Sequence, residues 1–234
     1  LWFGLDRDFV LVAHLGMSGQ LLVQQSNAFD QSHLRARLRL GGKLNRTSKD
    51  EIRFIDQRTF GWVAIDDLVE EDGEKIPRSF ARIAPDIFDA KFDAKRFTQK
   101  LSNKKSAIKR VLLDQTVMSG VGNIYADEAL WGAKIHPERM ANTLSEDETK
   151  ALLGAVKKVM SKALKQGGTS FDALYINVNG ESGYFAVELE AYGQEDEPCS
   201  RCGTLIRRIV FGNRSSHFCP NCQKNLKKSL GKRG

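Results

Sequence analysis

The sequence predicts an α+β protein in which a partial antiparallel β-sandwich precedes a helical domain and a small cysteine-rich β-hairpin. Three observations carry this prediction. Apolar and polar residues alternate in much of the first 65 residues, apolar residues recur at helical spacing after residue 94, and all four cysteines follow residue 198 in two CxxC pairs. We expect a sandwich at 1–70, a linker at 71–93, a helical domain at 94–188, a finger at 189–224 and a basic tail at 225–234.

The first 70 residues are expected to form four or five antiparallel strands. Residues 1–23 contain two of them, joined by a turn at Asp6–Asp8. The segments LRARLRL (34–40) and EIRFIDQ (51–57) alternate apolar and polar or charged residues, and residues 60–65 are expected to form one more strand. Strands with one apolar face make an incomplete sandwich that needs partner strands. Residues 66–90 begin with an acidic run and contain two prolines, which predicts a linker and surface loops.

The helical domain is expected to begin at Ala94–Leu101 and to continue through residues 104–131. This second stretch opens with four basic residues and no acidic one: Lys104, Lys105, Lys109 and Arg110. Apolar residues at helical spacing predict an amphipathic helix with a cationic face. The sequence SGVGN then predicts a sharp turn, with the next helix starting at Asn123. Amides at a helix N-terminus bind anions, so the lysines indicate phosphate; an ordinary αα-hairpin with a solvated basic face is the alternative.

A longer helix should follow the helix pair. Ser145 and Glu148 have capping-box spacing, and the helix is expected to stop at Gly167–Gly168. Its core face carries five apolar residues: Leu152, Val156, Val159, Met160 and Ala163. Residues 169–186 contain three turn signals of the Gly/Asn type, which predict a long flexible loop. A loop of that length inside a compact domain is usually functional.

The charge distribution indicates a polyanionic partner. The 234 residues carry a net charge of +7, and residues 201–234 contain nine Lys or Arg and no Asp or Glu. Such a block most often binds nucleic acid. A solubilising tail is the alternative for the final KKSLGKRG, although it does not explain the arginines between the cysteines. No apolar run approaches the length of a membrane span.

The four cysteines have the spacing of a zinc site. Cys199, Cys202, Cys219 and Cys222 form the pattern CxxC–x16–CxxC, in which each CxxC turn offers two thiolates to one tetrahedral ion. A hairpin between the turns would bring the pairs together. Four protein ligands leave no open position, so we expect one structural Zn²⁺ that does no chemistry.

Motifs along nearly the whole chain closely resemble those of bacterial formamidopyrimidine-DNA glycosylases, base-excision enzymes for oxidised purines. They are HLGMSGQL (14–21), DQRTFG (56–61), Gln115 with SGVGNIYA (119–126) and EAL (128–130), GGTSFDALYINVNGESGYF (167–185), and the cysteine finger. The resemblance implies a helix–two-turn–helix domain, a loop that closes over an extruded base, and a bacterial, cytoplasmic, nucleoid-associated monomer. Its partner would be double-stranded DNA that contains an oxidised purine or an abasic site. No association with a membrane is expected. Related endonucleases share the helix pair, but the finger and the DQRTFG element favour the glycosylases.

The resemblance assigns three residues to the gap left when a damaged nucleotide leaves the duplex. Met17 would enter the gap, Phe60 would wedge between base steps, and Arg58 would bond the orphaned base. An emptied stack is unstable unless apolar and hydrogen-bonding groups fill it. The alternatives are a partly buried loop methionine, a phenylalanine in a strand core, and an arginine in a surface ion pair with Asp56 or Asp66.

The resemblance also assigns DNA-backbone contacts. Lys104, Lys109, Asn123 and His33 would contact phosphates, which predicts binding that weakens steeply with salt. The family often has His-x-His where this chain has only His33, so a structural or exposed histidine is the alternative there. Arg214, at the expected turn of the finger, would contact the phosphates flanking the flipped nucleotide and assist strand cleavage, with Asn213 beside it.

The family's catalytic residues are an N-terminal proline, whose amine attacks the sugar C1′, and the glutamate after it. This sequence begins Leu1-Trp2 and also lacks the family's active-site lysine, so we expect a glycosylase and abasic-site lyase without its N-terminal segment, whose activity as written is doubtful. The two alternative functions are those of a non-catalytic protein that binds damaged or abasic DNA and of a zinc-ribbon interaction module.

Overall fold

A computed structural model describes residues 1–5, 8–16, 18–40, 50–71, 73–166 and 189–225. These residues fall into two compact units, one within Leu1–Ala81 and the other from Arg82 onward. Met17, the predicted loop at 169–186, the predicted helix end at Gly167–Gly168 and the basic tail from residue 226 lie outside the described residues. No described helix is long and apolar enough to cross a membrane.

The first unit contains two antiparallel sheets, which confirms the predicted β-rich N-terminal part. One sheet has the order β1-β2-β6-β7 and the other the order β3-β5-β4. The strands are β1 Trp2–Gly4, β2 Phe9–His14, β3 Gly19–Gln25, β4 Leu34–Arg39, β5 Asp50–Asp56, β6 Trp62–Glu71 and β7 Glu74–Pro77. The segments 34–40 and 51–57 are strands as predicted, because their alternation places one side chain in two on a covered face.

Two predictions in this unit are wrong. Residues 1–23 begin three strands rather than two, because the chain turns sharply after β2: the Gly19 amide donates to the Leu15 carbonyl at 2.7 Å. The strand predicted at 60–65 starts at Trp62 and runs to Glu71, and β7 follows within the predicted linker. The acidic run forms part of a hairpin. Val69 lies opposite Ile76, and the turn is made by Gly73, which has φ +79°.

A buried arginine organises the connection between β3 and β4. The Arg53 Nε donates to the Glu51 carboxylate at 2.6 Å, and its Nη atoms donate to the carbonyls of Phe29 at 2.6 Å and Ala28 at 2.8 Å. Arg53 is fully buried, so each of these bonds satisfies a donor that water cannot reach. Hydrogen bonds from the buried Arg53 therefore hold the backbone of this loop in place, while the side chain of Phe29 at the tip of the loop is exposed.

The second unit is built on four α-helices among the described residues: α1 Ala94–Ser102, α2 Ile108–Leu112, α3 Asn123–Gly132 and α4 Glu146–Lys165. Helix α3 begins at Asn123 as predicted, and the capping box of Ser145 and Glu148 is present at the start of α4. Most side chains of the core are at most 3% exposed, among them Phe97, Leu101, Ile108, Leu112, Met118, Leu130, Leu152 and Val156. Burial of this apolar surface holds the four helices together.

The finger follows in the same unit. Strands β8 Arg207–Phe211 and β9 Arg214–Phe218 pair antiparallel between the two CxxC turns, which confirms the predicted hairpin. Gly212, at φ +62°, occupies the turn, and Phe211 lies opposite Arg214. The turn therefore places Arg214 at the tip of the hairpin.

Candidate functional site

The first group of predicted site residues lies on the turn between β5 and β6, which Asp56 holds together. The Asp56 carboxylate accepts hydrogen bonds from the Ser18 hydroxyl at 2.5 Å and the Gly61 amide at 2.7 Å. The Ser18 oxygen in turn accepts from the Arg58 amide at 3.0 Å. These bonds join the HLGMSG turn to the DQRTFG turn.

Two glycines permit this close approach. A Cβ atom at Gly16 would lie 2.7 Å from the Phe60 carbonyl carbon, and one at Gly61 would lie 2.7 Å from the Phe54 ring and 2.8 Å from the His14 oxygen. All three distances are too short for any other residue without movement of the backbone. Gly16 and Ser18, which flank Met17 in the sequence, therefore both lie against residues 58–61.

Arg58 and Phe60 lie together on the exposed side of this turn. Phe60 is 57% exposed and precedes β6, so the alternative of a core strand residue is wrong. The Arg58 guanidinium carbon lies 5.5 Å from the Phe60 ring centroid, within reach of a cation–π interaction. His33 is exposed in a left-handed conformation, φ +66°, and its carbonyl accepts from the Asp56 amide at 3.0 Å. The turn at residues 56–61 thus contains Arg58 and Phe60, and its first residue, Asp56, is bonded to the backbone of His33.

The protonation of Asp56 provides a first prediction. Burial acts to raise the pKa of this carboxyl, but hydrogen bonds from Ser18 and from the amides of Gly61, Arg58 and Thr59 outweigh it and lower the pKa below its ordinary value of 3.8. The folded state therefore favours the carboxylate, and that stabilisation is present above pH 3.8 and lost as the pH falls through the lowered pKa.

We expect the free energy of unfolding, measured by urea titration at pH 7, 4 and 2.5, to fall across the acidic range for the wild-type chain. Asp56→Asn should lower stability at pH 7 and flatten the acidic limb. Asp30→Asn, at an exposed loop carboxylate, is the control. An Asp56→Asn acid limb as steep as that of wild type would contradict the assignment.

The second group of predicted residues meets where α3 joins the finger. Lys109 is fully buried, and its Nζ lies 2.7 Å from the Asp127 Oδ1 and donates to the Ser215 carbonyl at 2.8 Å. Burial lowers the pKa of Lys109, the charge of Asp127 opposes that shift, and the charge of Arg214 adds to it. The predicted cationic helix face is therefore wrong at Lys109, because a buried carboxylate draws this ammonium inward.

Asn123 and Arg214 adjoin the same carbonyl. The Asn123 Nδ2 also donates to the Ser215 oxygen, at 3.2 Å, while its Oδ1 is buried without a hydrogen-bond partner among the described residues. Arg214 is exposed and immediately precedes Ser215 on β9. The structure thus brings Lys109, Asn123 and Arg214 together, although their sequence positions span more than 100 residues. Lys104 lies apart and pairs with Asp114 at 3.1 Å.

The turn before α3 is held by Gln115. Its Oε1 accepts from the Gly120 amide at 2.9 Å, and its Nε2 donates to the Val121 carbonyl at 3.1 Å. Gly120 has φ +83°, which only glycine adopts without strain. The side chain of Gln115, which lies between α2 and α3, thus sets the shape of the loop that leads to Asn123.

Sequence reasoning assigned no role to two acidic residues of α3, although Glu128 belongs to one of the family motifs. Asp127, besides Lys109, accepts from the Ser216 hydroxyl at 2.8 Å and the His217 amide at 2.9 Å. Glu128 accepts from the amides of three consecutive residues at 2.8–3.0 Å: Glu190, Ala191 and Tyr192. Burial raises the pKa of Glu128, and the three amides oppose that shift. An adjacent pair of acids inside the apolar segment NIYADEALW was the signal available, because buried carboxylates need donors.

The four cysteines converge as their spacing predicted. Their sulfur atoms all lie within 4.8 Å of one another, and Cys202 Sγ lies 3.5 Å from the sulfurs of both Cys219 and Cys222. Tetrahedral Zn–S bonds of about 2.3 Å would place sulfurs about 3.8 Å apart. The thiols are free, not disulfide-bonded, so the cluster fits a four-thiolate metal site.

Three family models match the chain. They are the formamidopyrimidine-DNA glycosylase N-terminal domain at residues 1–63, the formamidopyrimidine-DNA glycosylase H2TH domain at 83–173, and the zinc finger found in FPG and IleRS at 196–225. The matched ranges contain both groups of site residues and all four cysteines.

Similar proteins agree with these models. The formamidopyrimidine-DNA glycosylase of Rhodococcus opacus is 55% identical over 98% of this chain and 78% of its own length, and that of Thermobifida fusca is 52% identical over 95% and 76%. Among solved structures, Lactococcus lactis Fpg in complex with DNA containing an abasic site has a TM-score of 0.75 at 33% identity, covering 93% of this chain and 76% of that one. MutM in complex with DNA containing carbocyclic 8-oxo-G has a TM-score of 0.77 at 34% identity, covering 95% and 78%. The chain belongs to the formamidopyrimidine-DNA glycosylase family of DNA-repair enzymes.

Proposed function

We propose that this chain binds duplex DNA at an oxidised purine, such as 8-oxoguanine or a formamidopyrimidine, or at an abasic site, and that it serves base-excision repair as a DNA glycosylase and abasic-site lyase. The observation that carries the proposal is the convergence of Lys109, Asn123 and Arg214 on the backbone of Ser215. A phosphate oxygen there would meet an arginine, an amide side chain and the N-terminal end of α3, all of which favour an anion.

The first unit would fill the duplex behind an extruded nucleotide. Phe60 presents an exposed ring, and Arg58 lies over it with a planar donor group. An aromatic wedge and a guanidinium are suited to a base step that has lost one base. Met17 would complete this device, and His33 and Lys104 would add backbone contacts elsewhere on the DNA.

The chemistry of the family divides between strand cleavage and DNA positioning. A proline amine attacks the sugar C1′, the base leaves, and the resulting imine undergoes β,δ-elimination, which breaks the C–O bonds to both flanking phosphates. Arg214 would hold the phosphates flanking the flipped nucleotide, where its charge would stabilise the departing phosphate.

We also propose that the metal is zinc. Cys199, Cys202, Cys219 and Cys222 would hold one Zn²⁺ in a closed tetrahedral site, and the ion would supply folding energy rather than Lewis acidity. In that role it fixes the base of the hairpin whose tip carries Arg214.

Fluorescence anisotropy with labelled duplexes tests the binding proposal. The zinc-loaded chain should bind a duplex with a tetrahydrofuran abasic analogue more tightly than an undamaged duplex, and both affinities should fall with salt. Arg214→Ala should weaken binding about tenfold and reduce the slope of log K against log salt by about 0.9, the value for one phosphate contact. Arg208→Ala, at an exposed arginine on β8 paired with Glu195, is the matched control. Equal, weak binding of both duplexes at every salt concentration would refute the proposal.

Borohydride trapping separates catalysis from binding alone. Reduction of an imine between a protein amine and an abasic site gives a covalent adduct that survives denaturing electrophoresis. An adduct formed by this chain would support the lyase. Tight binding of the abasic duplex without an adduct would instead favour a non-catalytic protein that recognises damaged DNA.

A further inference from the structure

Trp131 connects the last turn of α3 to the cysteine cluster. Its side chain packs on the small buried cluster formed by Cys199, Ile206 and Cys219. Trp131 is not part of the CxxC pattern and lies 68 positions before the first cysteine. The contact therefore arises only because the finger folds back on α3.

The indole N–H of Trp131 has an unusual environment. Its Nε1 is buried and has no hydrogen-bond partner among the described residues. Of the three residues in the cluster on which the ring packs, only Cys199 and Cys219 carry a side-chain atom that could accept a hydrogen bond, their sulfur. A buried tryptophan N–H usually finds an acceptor, and leaving one unsatisfied is unfavourable. A thiol is a weak acceptor, whereas a thiolate is a strong one.

A second contact fixes the same two segments relative to each other. Arg201, which lies between Cys199 and Cys202 in the sequence, donates through both Nη atoms to the Trp131 carbonyl at 3.2 Å. Its guanidinium carbon also lies 3.9 Å from the centroid of the Trp131 ring. A cation at the C-terminal end of a helix satisfies carbonyls that lack a partner in the helix. The Cys199–Cys202 turn is thus held against the end of α3 independently of the indole N–H.

We propose that Trp131 is an outer residue of the metal centre, whose indole N–H donates a hydrogen bond to the Cys199 thiolate when the cluster holds its ion. Four thiolates around one Zn²⁺ carry a net charge of −2, and a neutral donor at one sulfur offsets part of that charge. The bond would make the position of α3 sensitive to metal occupancy. Asn123 and Asp127 lie on the same helix, so the effect would extend to the residues that adjoin Ser215. This inference rests on the proposal that the cluster binds zinc.

Metal titration of the full chain tests the bond. In Trp131→Phe the aromatic ring remains but the N–H donor is lost, so Zn²⁺ affinity, measured by competition with a chromogenic chelator, should fall about tenfold, as for other outer residues of metal sites. With Co²⁺ in the site, the sulfur-to-cobalt charge-transfer bands should move to lower energy, because the Cys199 lone pair is no longer stabilised. Trp62→Phe, at a partly exposed tryptophan of β6, is the matched control.

A measurement on the unmodified chain covers the case in which the variant fails to fold. With ¹¹³Cd²⁺ in the site, the Trp131 indole proton should show scalar coupling to the metal through the N–H···S bond. Absence of that coupling, or a Trp131→Phe variant with wild-type affinity and unshifted bands, would overturn the inference while leaving the metal site intact. If the unmodified chain binds no Zn²⁺, Cd²⁺ or Co²⁺, the zinc proposal itself fails.

Discussion

Cys219→Ser is expected to abolish metal binding and to unfold the finger. Cys219 is fully buried, its sulfur lies 3.5 Å from that of Cys202, and its amide donates to the Gln223 Oε1 at 2.8 Å. Loss of one ligand opens a closed site whose ion contributes about 10 kcal/mol or more to the folding of small domains of this kind. Metal content should fall from one ion per chain to none, and limited proteolysis should cleave within residues 196–225.

The consequence should reach the DNA-binding residues. Gln223 donates to the Ile135 carbonyl at 2.9 Å, and Asp127 binds β9, so an unfolded finger loses its contacts with the helical unit and no longer positions Arg214. Val210→Ser, at an exposed position of β8, should change stability by no more than about 0.5 kcal/mol and is the control. A Cys219→Ser chain that retains one tightly held ion would contradict the four-thiolate site.

Asp127→Asn is expected to lower the free energy of unfolding of the second unit by about 3–5 kcal/mol. The substitution leaves the Lys109 ammonium buried without its counter-charge, and breaking a buried ion pair from one side typically costs that much. Burial already lowers the pKa of Lys109, and removing Asp127 takes away the charge that opposes this shift. Urea unfolding at pH 7 measures the effect.

Two further variants make this test specific. Glu195→Gln breaks the exposed pair with Arg208 in the same unit and should cost less than about 1 kcal/mol. Adding Lys109→Met to Asp127→Asn removes the unpaired charge and should recover part of the lost stability. If Asp127→Asn cost no more than Glu195→Gln, Asp127 would not be the counter-charge of a buried lysine.

Much of this molecule follows from local patterns in the sequence. Alternation at 34–40 and 51–57 predicted β4 and β5, because a strand covers one side chain in two. The capping box at Ser145 and Glu148 predicted the start of α4, because it satisfies amides within one turn. The two CxxC pairs predicted both the thiolate cluster and the hairpin between them, since two short turns can share one ion only if the chain between them folds back. The roles of Arg58, Phe60 and Arg214 on DNA stay predictions.

Other features were decided only by the tertiary structure. The sequence predicted that Lys109 lies on a basic helix face, yet Asp127 and the Ser215 carbonyl hold its side chain in the interior. The extension of β6 beyond residue 65 was concealed by acidic residues, of which Asp66 and Asp67 lie opposite Val10 and Phe9 of the distant strand β2. A local pattern records how residues alternate along one element, whereas a buried charge depends on which distant group supplies its partner. For this protein, the sequence by itself determined the family, the strands β4 and β5, the start of α4 and the cysteine cluster, and the packing of α3 against the finger decided that Lys109 is buried against Asp127.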